Sequence, residues 1–597
     1  MLKKFAFAGI LLMGLCGVGV KSLAYANSVQ ILDEKSYAII CDSAGVSRSD
    51  ITLYKKIFKA IREENFKEAD KLVEDLENDI LMGHVRAQKY LSKTYVSSYD
   101  ELKEWLENYA DHPQAKTIYN LAVKKGGGGG LVNPFDKFEI GQRYFSPYSW
   151  YNEDYESTKP KHAKYLRGKV KEFRKYISTG KTRRAKAVLE DGTFRQRIPN
   201  ANYDAMSGTL ALVYLLDNED KLSLAWSEKA SRRSNDLTAN WVGGLASWRM
   251  KKYDSAAMYF SRLGKTQGND EWMTAAGAYW AYRVYDLQKK PAKAKEMLEL
   301  AAKYSRTFYG ILANYKLGNP TQYNWDAVAF YNDFSTSEYV NEIINSDSLK
   351  RAVLLLKAKN PELAGKDMDA NYRNMADAQK EVALYLAKEH GLKALGIKLA
   401  LYMRNNEDLI HYDDISYPLP SYKPKDGWKL DEALVWAFVH QESRFHPEAL
   451  SGAGAKGLMQ IMPLTARHIM QTKEKVKDDV LLDVEYNLSL GQQYINYLLE
   501  KSFVDGNLFY LAVSYNAGPG NLVKWQKRMK YNDDPLLFIE VVPARETRLY
   551  IKRVMANYWI YNARLGNDNY TLEQVAEGKY PVLKKSKSGF FDAIFGQ

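Results

Sequence analysis

A chain of 597 residues is too long for one hydrophobic core and implies two or more domains of roughly 100 to 200 residues each. Two cysteines exclude a disulfide framework. The net charge of +13 is spread over helices of mixed sign with no base-stacking or zinc-module pattern beside it, so the charge suits the cell wall or a lipid surface and no nucleic-acid partner is expected.

Residues 1–26 read as an export signal: Lys3 and Lys4, an apolar run from Phe5 to Val20, and the small-residue cleavage site Ala24-Tyr-Ala26. The predicted mature chain starts near Asn27 and works in the periplasm. A lipoprotein signal at Cys16 is disfavoured by Leu15, where lipobox cleavage wants a small residue. With Cys16 removed, Cys41 stands alone and no intrachain disulfide can form. No later apolar run approaches the ~20 residues of a membrane span, so no integral membrane segment is expected after signal removal.

The predicted fold class is all-α. From Ser49 to Asn405 hydrophobic residues recur at three- and four-residue spacing, as in Phe66, Ala69, Leu72, Val73 and Leu76, and again in Leu102, Trp105, Leu106 and Tyr109, the latter opened by the capping box Ser98–Glu101. Between Asn240 and Ala302 a loose repeat sets Trp248, Tyr253, Ala256 and Phe260 against Tyr282, Pro291, Ala294 and Leu298, some 34 to 38 residues on, in a degenerate tetratricopeptide-like pattern. Residues 27–415 are therefore read as a long helical superhelix or solenoid, with room for a linker subdomain at its C-terminal end. The run Gly126–Gly130 reads as a loop. Two Gly-Lys-Thr triplets, at Gly180 and Gly264, fail the phosphate-loop spacing because Lys175 and Tyr259 occupy the position of the first glycine.

Pro418, Pro420 and Pro424 interrupt a segment of weak periodicity at residues 410–428, and residues 416–597 are expected to form a compact, mostly α catalytic domain. Within it Glu442 ends an apolar helix, with Phe438 and Leu434 behind it at four-residue steps as the buried stripe of an amphipathic helix. Burial and the negative end of the helix dipole both raise a carboxyl pKa, which suits a general acid. Ser443 lacks a base partner and reads as a support for Glu442. His440 stands on another face and no His-Glu-x-x-His spacing occurs, so neither a metal nor any other cofactor is expected. Singly, the segments downstream have ordinary readings: Pro463 opening a helix, Gly518-Pro519 joining two, and Glu546 as a first-turn acid.

Together and in order they say more. Glu442-Ser443, the run Gly457-Leu-Met-Gln460, Tyr515-Asn-Ala-Gly518 and Pro543-Ala-Arg-Glu-Thr-Arg548 resemble the motifs of the soluble lytic transglycosylases. Upstream, Tyr109-Ala-Asp-His-Pro-Gln-Ala115 and Thr307-Phe-Tyr-Gly310 resemble that family's helical ring. The resemblance implies a ring or horseshoe of helices carrying a goose-type-lysozyme-like domain. It implies cleavage of the bond between N-acetylmuramic acid and N-acetylglucosamine in peptidoglycan glycan strands, with 1,6-anhydromuramoyl products and Glu442 as the single acid and base. By position it makes Ser451, Gln460, Met462, Tyr515, Asn516 and Glu546 substrate-binding residues, with Gly457 and Met459 in support, and Glu546 helping to position the polar network.

Residue spacing alone leaves a second carboxylate open among Asp478, Asp479, Asp483 and Glu485, since ordinary glycosidases place two at about 5 to 9.5 Å. A hydrolytic muramidase is thus the alternative. A non-catalytic wall-binding scaffold would account for the helices but for none of the residues around Glu442.

Overall fold

A computed structural model of the chain describes residues 32–127, 129–134, 160–232, 236–266, 270–325, 336–403 and 411–583. The expected export signal and residues 584–597 lie outside them. Among the described residues the architecture is all-α: thirty-one α-helices, with strand pairing reduced to three isolated bridges. No helix among these residues is long and apolar enough to cross a membrane.

Local sequence signals start the helices where expected. Ser98 opens the helix Tyr99–Tyr109 with a two-way capping box: its hydroxyl accepts from the Glu101 N–H at 3.1 Å, and Glu101 accepts from the Ser98 N–H at 2.6 Å. In the tetratricopeptide-like stretch, Tyr253–Lys265, Glu271–Leu287, Pro291–Ala302 and Phe308–Lys316 pack each on the next. Gly264 and Gly277 mark one crossing, where a Cβ on Gly277 would stand 2.8 Å from the Gly264 nitrogen. The Gly264 triplet that mimics a phosphate loop is therefore the end of a helix at a close backbone approach.

Helical periodicity could not say whether the run closes on itself. It does: Leu32 to Val85 and Tyr339 to Ile415 contribute to one hydrophobic core, so the first described helices sit against the last ones of the body. A buried polar network runs through this seam. His84 meets Asp367 at 3.0 Å, Arg351 donates to both Asp367 oxygens at 2.8 and 3.0 Å, and Arg351 reaches Asp111 at 2.9 Å. Asp111 and His112 belong to the upstream Tyr-Ala-Asp-His-Pro motif, which is thus a closure point.

The second upstream motif seats the C-terminal module. Thr307 caps the helix Phe308–Lys316, Phe308 stacks on Trp559 at 5.1 Å, and the Tyr309 hydroxyl donates to Glu540 at 2.6 Å. Lys552 completes this buried cluster, donating to both Glu540 oxygens at 2.9 and 2.8 Å. A single hydrophobic core accordingly runs from Ala163 to Ala313 and on through Ala433 to Ala576.

Between body and module the chain is extended past Ser416, pinned by the Lys429 N–H on Gln492 and by Gln492 on the Gly427 carbonyl. The helix Glu432–Glu442 differs from its expected form: every residue from Ala433 to Val439 is buried. It is a central helix enclosed on all sides, so Leu434 and Phe438 are part of a full apolar cylinder and not of one stripe.

Candidate active site

Asp431 starts the central helix by accepting from the Ala433 N–H at 2.9 Å, and is itself held by the Tyr558 hydroxyl at 2.7 Å. The helix stops at Glu442 because Arg444 and Phe445 both adopt left-handed backbone angles, φ 51° and 64°, and turn the chain away. The Ser443 hydroxyl bonds back to the Val439 carbonyl at 3.2 Å, so it supports the helix end and does not touch the Glu442 carboxyl.

The Glu442 carboxyl accepts a 2.5 Å hydrogen bond from the Tyr550 hydroxyl. Burial pushes its pKa up from 4.5 to about 7. The Tyr550 hydrogen bond opposes that rise, and the negative charge of Glu546 adds to it. The side chain is therefore divided between acid and carboxylate near neutral pH, which is the condition for giving a proton and later taking one.

Opposite lies the loop from Ser451 to Met462. Gly457 has φ 76° and no room for a side chain, since a Cβ would fall 2.3 Å from the Asn487 amide nitrogen. Asn487, fully buried on the helix Val484–Leu499, fixes this loop: it accepts from the Met459 N–H at 2.7 Å and donates to the carbonyls of Lys456 and Leu481 at 2.9 and 2.7 Å. Met459 in turn accepts from the Tyr515 hydroxyl at 2.8 Å. The Tyr515 ring lies against Phe438, 4.7 Å between centroids, close enough for the Glu442 charge to act on its hydroxyl. Asn516 is tied by the Thr547 hydroxyl at 2.6 Å, which joins the Tyr-Asn-Ala-Gly turn to the Glu-Thr-Arg helix.

Of the residues expected here, Tyr515, Met459 and Gly457 form one connected unit beside Glu442. Ser451, Gln460 and Met462 make no hydrogen bond or ring contact with Glu442 among the described residues. The Ser451 hydroxyl accepts from the Ala455 N–H at 2.9 Å, and the Gln460 amide nitrogen donates to the carbonyls of Ala449 and Gly457, each at 2.9 Å. Met462 precedes the helix Pro463–Ile469. Glu546, expected to position a polar network, is exposed and makes no hydrogen bond among the described residues; it acts on Glu442 through charge.

The four acids that sequence spacing left open as a second carboxylate have other work or face water. Asp478 pairs with Lys456, Asp479 accepts from the Val480 N–H, Asp483 caps the helix Val484–Leu499, and Glu485 is exposed. His440 is half-buried against Tyr417 and Tyr561, its Nδ1 3.2 Å from the Tyr561 hydroxyl, and desolvation drops its pKa to about 3, so it is a neutral packing residue. Among the described residues no group of three or more His, Cys, Asp or Glu side chains could hold a metal ion.

Sequence reasoning missed Tyr550, which makes the one direct hydrogen bond on the Glu442 carboxyl among the described residues. A signal was present: Glu546, Leu549, Tyr550 and Arg553 recur at three and four along one helix and line the same cavity of about 400 Å³. Replacing Tyr550 by Phe removes the bond that pulls the Glu442 pKa down, so the protonated form should persist to higher pH. The alkaline limb of a pH–rate profile should move up by about one unit, given roughly 1.5 kcal/mol for such a bond. An unmoved limb would show that Glu442 is not the titrating acid.

Residues 421–538 match the family model of the Transglycosylase SLT domain, a match that ends before the helix supplying Glu546 and Tyr550. The soluble lytic murein transglycosylase of Escherichia coli is 27% identical over 327 residues, 52% of this chain and 46% of that protein, so the chain spans about half the length of this curated relative. The crystal structure of the 70 kDa soluble lytic transglycosylase from Escherichia coli matches with a TM-score of 0.57 at 16% identity, over 87% of this chain and 97% of that one. An inactive glutamate-to-glutamine mutant of the lytic transglycosylase Slt from Pseudomonas aeruginosa matches with a TM-score of 0.52 at 17% identity, over 92% and 91%. Residues 421–538 thus match the Transglycosylase SLT domain, and the chain around them shares the helical fold of these solved lytic transglycosylases.

Proposed function

We propose that this protein is a periplasmic peptidoglycan lytic transglycosylase, delivered by residues 1–26, that cuts the N-acetylmuramoyl–N-acetylglucosamine β-1,4 bond. The observation that carries this is the Glu442 carboxyl, half-buried at a helix end, held by Tyr550 and with its pKa brought to about 7. Protonated Glu442 gives its proton to the glycosidic oxygen, the C1–O bond breaks, and the N-acetylglucosamine hydroxyl leaves. The carboxylate then takes the proton of the muramoyl C6 hydroxyl as O6 bonds to C1. The 1,6-anhydro ring closes, Glu442 is protonated again, and no water is consumed. Tyr515, fixed through Met459 and Asn487, bonds the acetamido group with its hydroxyl oxygen, which already donates to the Met459 carbonyl. The Ser451 O–H and the amide oxygen of Gln460 offer further polar contacts to the glycan, and Met462 and Asn516 shape its walls. The inactive glutamate-to-glutamine mutant among the structural relatives shows that one glutamate is essential in that protein, in keeping with the role given to Glu442 here.

Glu546 gives the hydrolytic reading its one specific support, since its charge reaches Glu442. Two measurements separate the readings. Muropeptides released from purified peptidoglycan should carry anhydro ends, lighter by one water than reducing ends. Glu546→Gln should keep at least about a tenth of the rate and shift the alkaline limb to lower pH, because it removes a charge that raises the Glu442 pKa. Reducing ends, with a loss of about 10²-fold or more in that variant, would establish a two-carboxylate hydrolase instead.

A further inference from the structure

The excess positive charge is concentrated, and not spread over the chain as its mixed-sign helices suggest. Residues 160–197 carry thirteen Lys and Arg against three acids, which is ten of the +13. Lys3, Lys4 and Lys21 of the expected export signal supply the other three, so the rest of the chain is neutral on balance. The basic stretch folds as the helices Pro160–Ser178, Thr182–Glu190 and Gly192–Arg197, packed on one another. On the first, Ala163, Leu166, Val170 and Phe173 are buried at three- and four-residue spacing, which turns the opposite side outward. Lys164, Arg167, Lys171 and Lys175 stand on that outer side, all exposed.

The three acids are taken by two other lysines. Lys169 lies 3.7 Å from Glu172 and 3.4 Å from Asp191, and Lys186 lies 3.4 Å from Glu190. The four outer cations have no ion-pair partner among the described residues. Neighbours at such spacing stand about 5 to 6 Å apart, less than the ~8 Å Debye length at physiological salt, so their fields add. At about 1.5 Å per residue the row runs for about 16 Å. We propose that this row is a docking surface for an anionic phospholipid membrane. A glycan strand would call for rings and amides between the charges, but the outer side offers Gly168 and Ser178, and the flanking rings are taken: Arg197 lies over Tyr165, and Tyr176 donates to Glu172 at 2.7 Å. Lysine ammonium groups are point charges that suit a layer of lipid phosphates without demanding a fixed geometry. The apolar stripe of the helix is already buried, so nothing inserts between lipids, and the attachment is reversible and salt-sensitive. The inference does not depend on the proposed function.

The test is cosedimentation of the purified protein with vesicles of phosphatidylcholine alone and of phosphatidylcholine mixed with phosphatidylglycerol. Wild type should bind only the mixed vesicles, and should come off in ~1 M salt, where the Debye length falls to about 3 Å. Changing Lys164, Arg167, Lys171 and Lys175 together to Gln should weaken binding by about 10²-fold or more, at about fivefold per cation near an anionic surface. Arg at 164, 171 and 175, which keeps the charge, should bind within about twofold of wild type. A control variant with Gln at Lys55, Lys67, Lys295 and Lys366, exposed on other helices, has the same net charge as the first and should lose under about threefold. Equal binding to both vesicles, attachment that survives high salt, or equal losses in the two four-Gln variants overturns the proposal. So does a row variant that keeps its hold on the vesicles but loses retention on isolated peptidoglycan sacculi, which would assign the row to the wall.

Discussion

Glu442→Gln should lower peptidoglycan cleavage by about 10³-fold or more while leaving the helical circular dichroism unchanged. Glutamine keeps the size of the side chain and can still accept from Tyr550, but it has no proton to give, and general acid–base catalysis alone contributes about 10² to 10⁴. In wild type the rate should fall as pH rises through about 7, where Glu442 loses the proton that the first step needs. Stability supplies an independent check. The folded pKa of about 7 lies above the ordinary 4.5, so between those values the folded chain holds a proton that the unfolded chain has released. Glu442 therefore weakens the fold progressively as pH rises through that window, and the deficit is fully present above about 7. Glu442→Gln should accordingly melt higher than wild type at pH 8 and close to it at pH 4. An active variant, or one that melts lower at pH 8, would remove Glu442 from the centre of the mechanism.

Lys552→Met should destabilise the protein by about 3 to 5 kcal/mol, the range for removing one partner of a buried ion pair. The change leaves the Glu540 carboxylate, 2% exposed, with only the Tyr309 hydroxyl to compensate it. Adding Glu540→Gln should recover more than half of the loss, because the charge without a partner is then gone. Denaturant titration of the three proteins at one pH measures both quantities. A loss under about 1 kcal/mol for the single variant would mean that water or rearrangement reaches Glu540. Because Tyr309 comes from the helical body and Glu540 and Lys552 from the C-terminal module, Lys552→Met should also loosen the hold of one on the other, seen as earlier proteolysis near residue 416.

The all-α class and the helices were legible because their signals are local: periodicity, caps such as Ser98–Glu101, and Gly518-Pro519 between two helices. The place of Glu442 at the end of an apolar helix was legible for the same reason, since an apolar run that ends in a lone carboxylate is visible in one window. Asn487 was not, because its value lies in three backbone groups around Lys456, Met459 and Leu481 that only folding brings to it. Ser451 and Gln460 show the converse. Their motif resembles one that meets substrate, yet in the structure their own loop uses part of their hydrogen-bonding capacity. Closure of the helical run was hidden too, for His84 and Asp367 are 283 residues apart and nothing in either neighbourhood names the other.

That separation governs how the molecule comes into being. Ribosomes add about 5 to 20 residues per second, so the imidazole of His84 waits roughly 15 to 55 s for the carboxylate it will face. Through that interval the earliest helices carry greasy flanks with nothing to lie against, and the entropy of bringing such distant segments together must be met late. The seam therefore sets well after the first helices it joins, and until then their apolar sides stay exposed to misassembly.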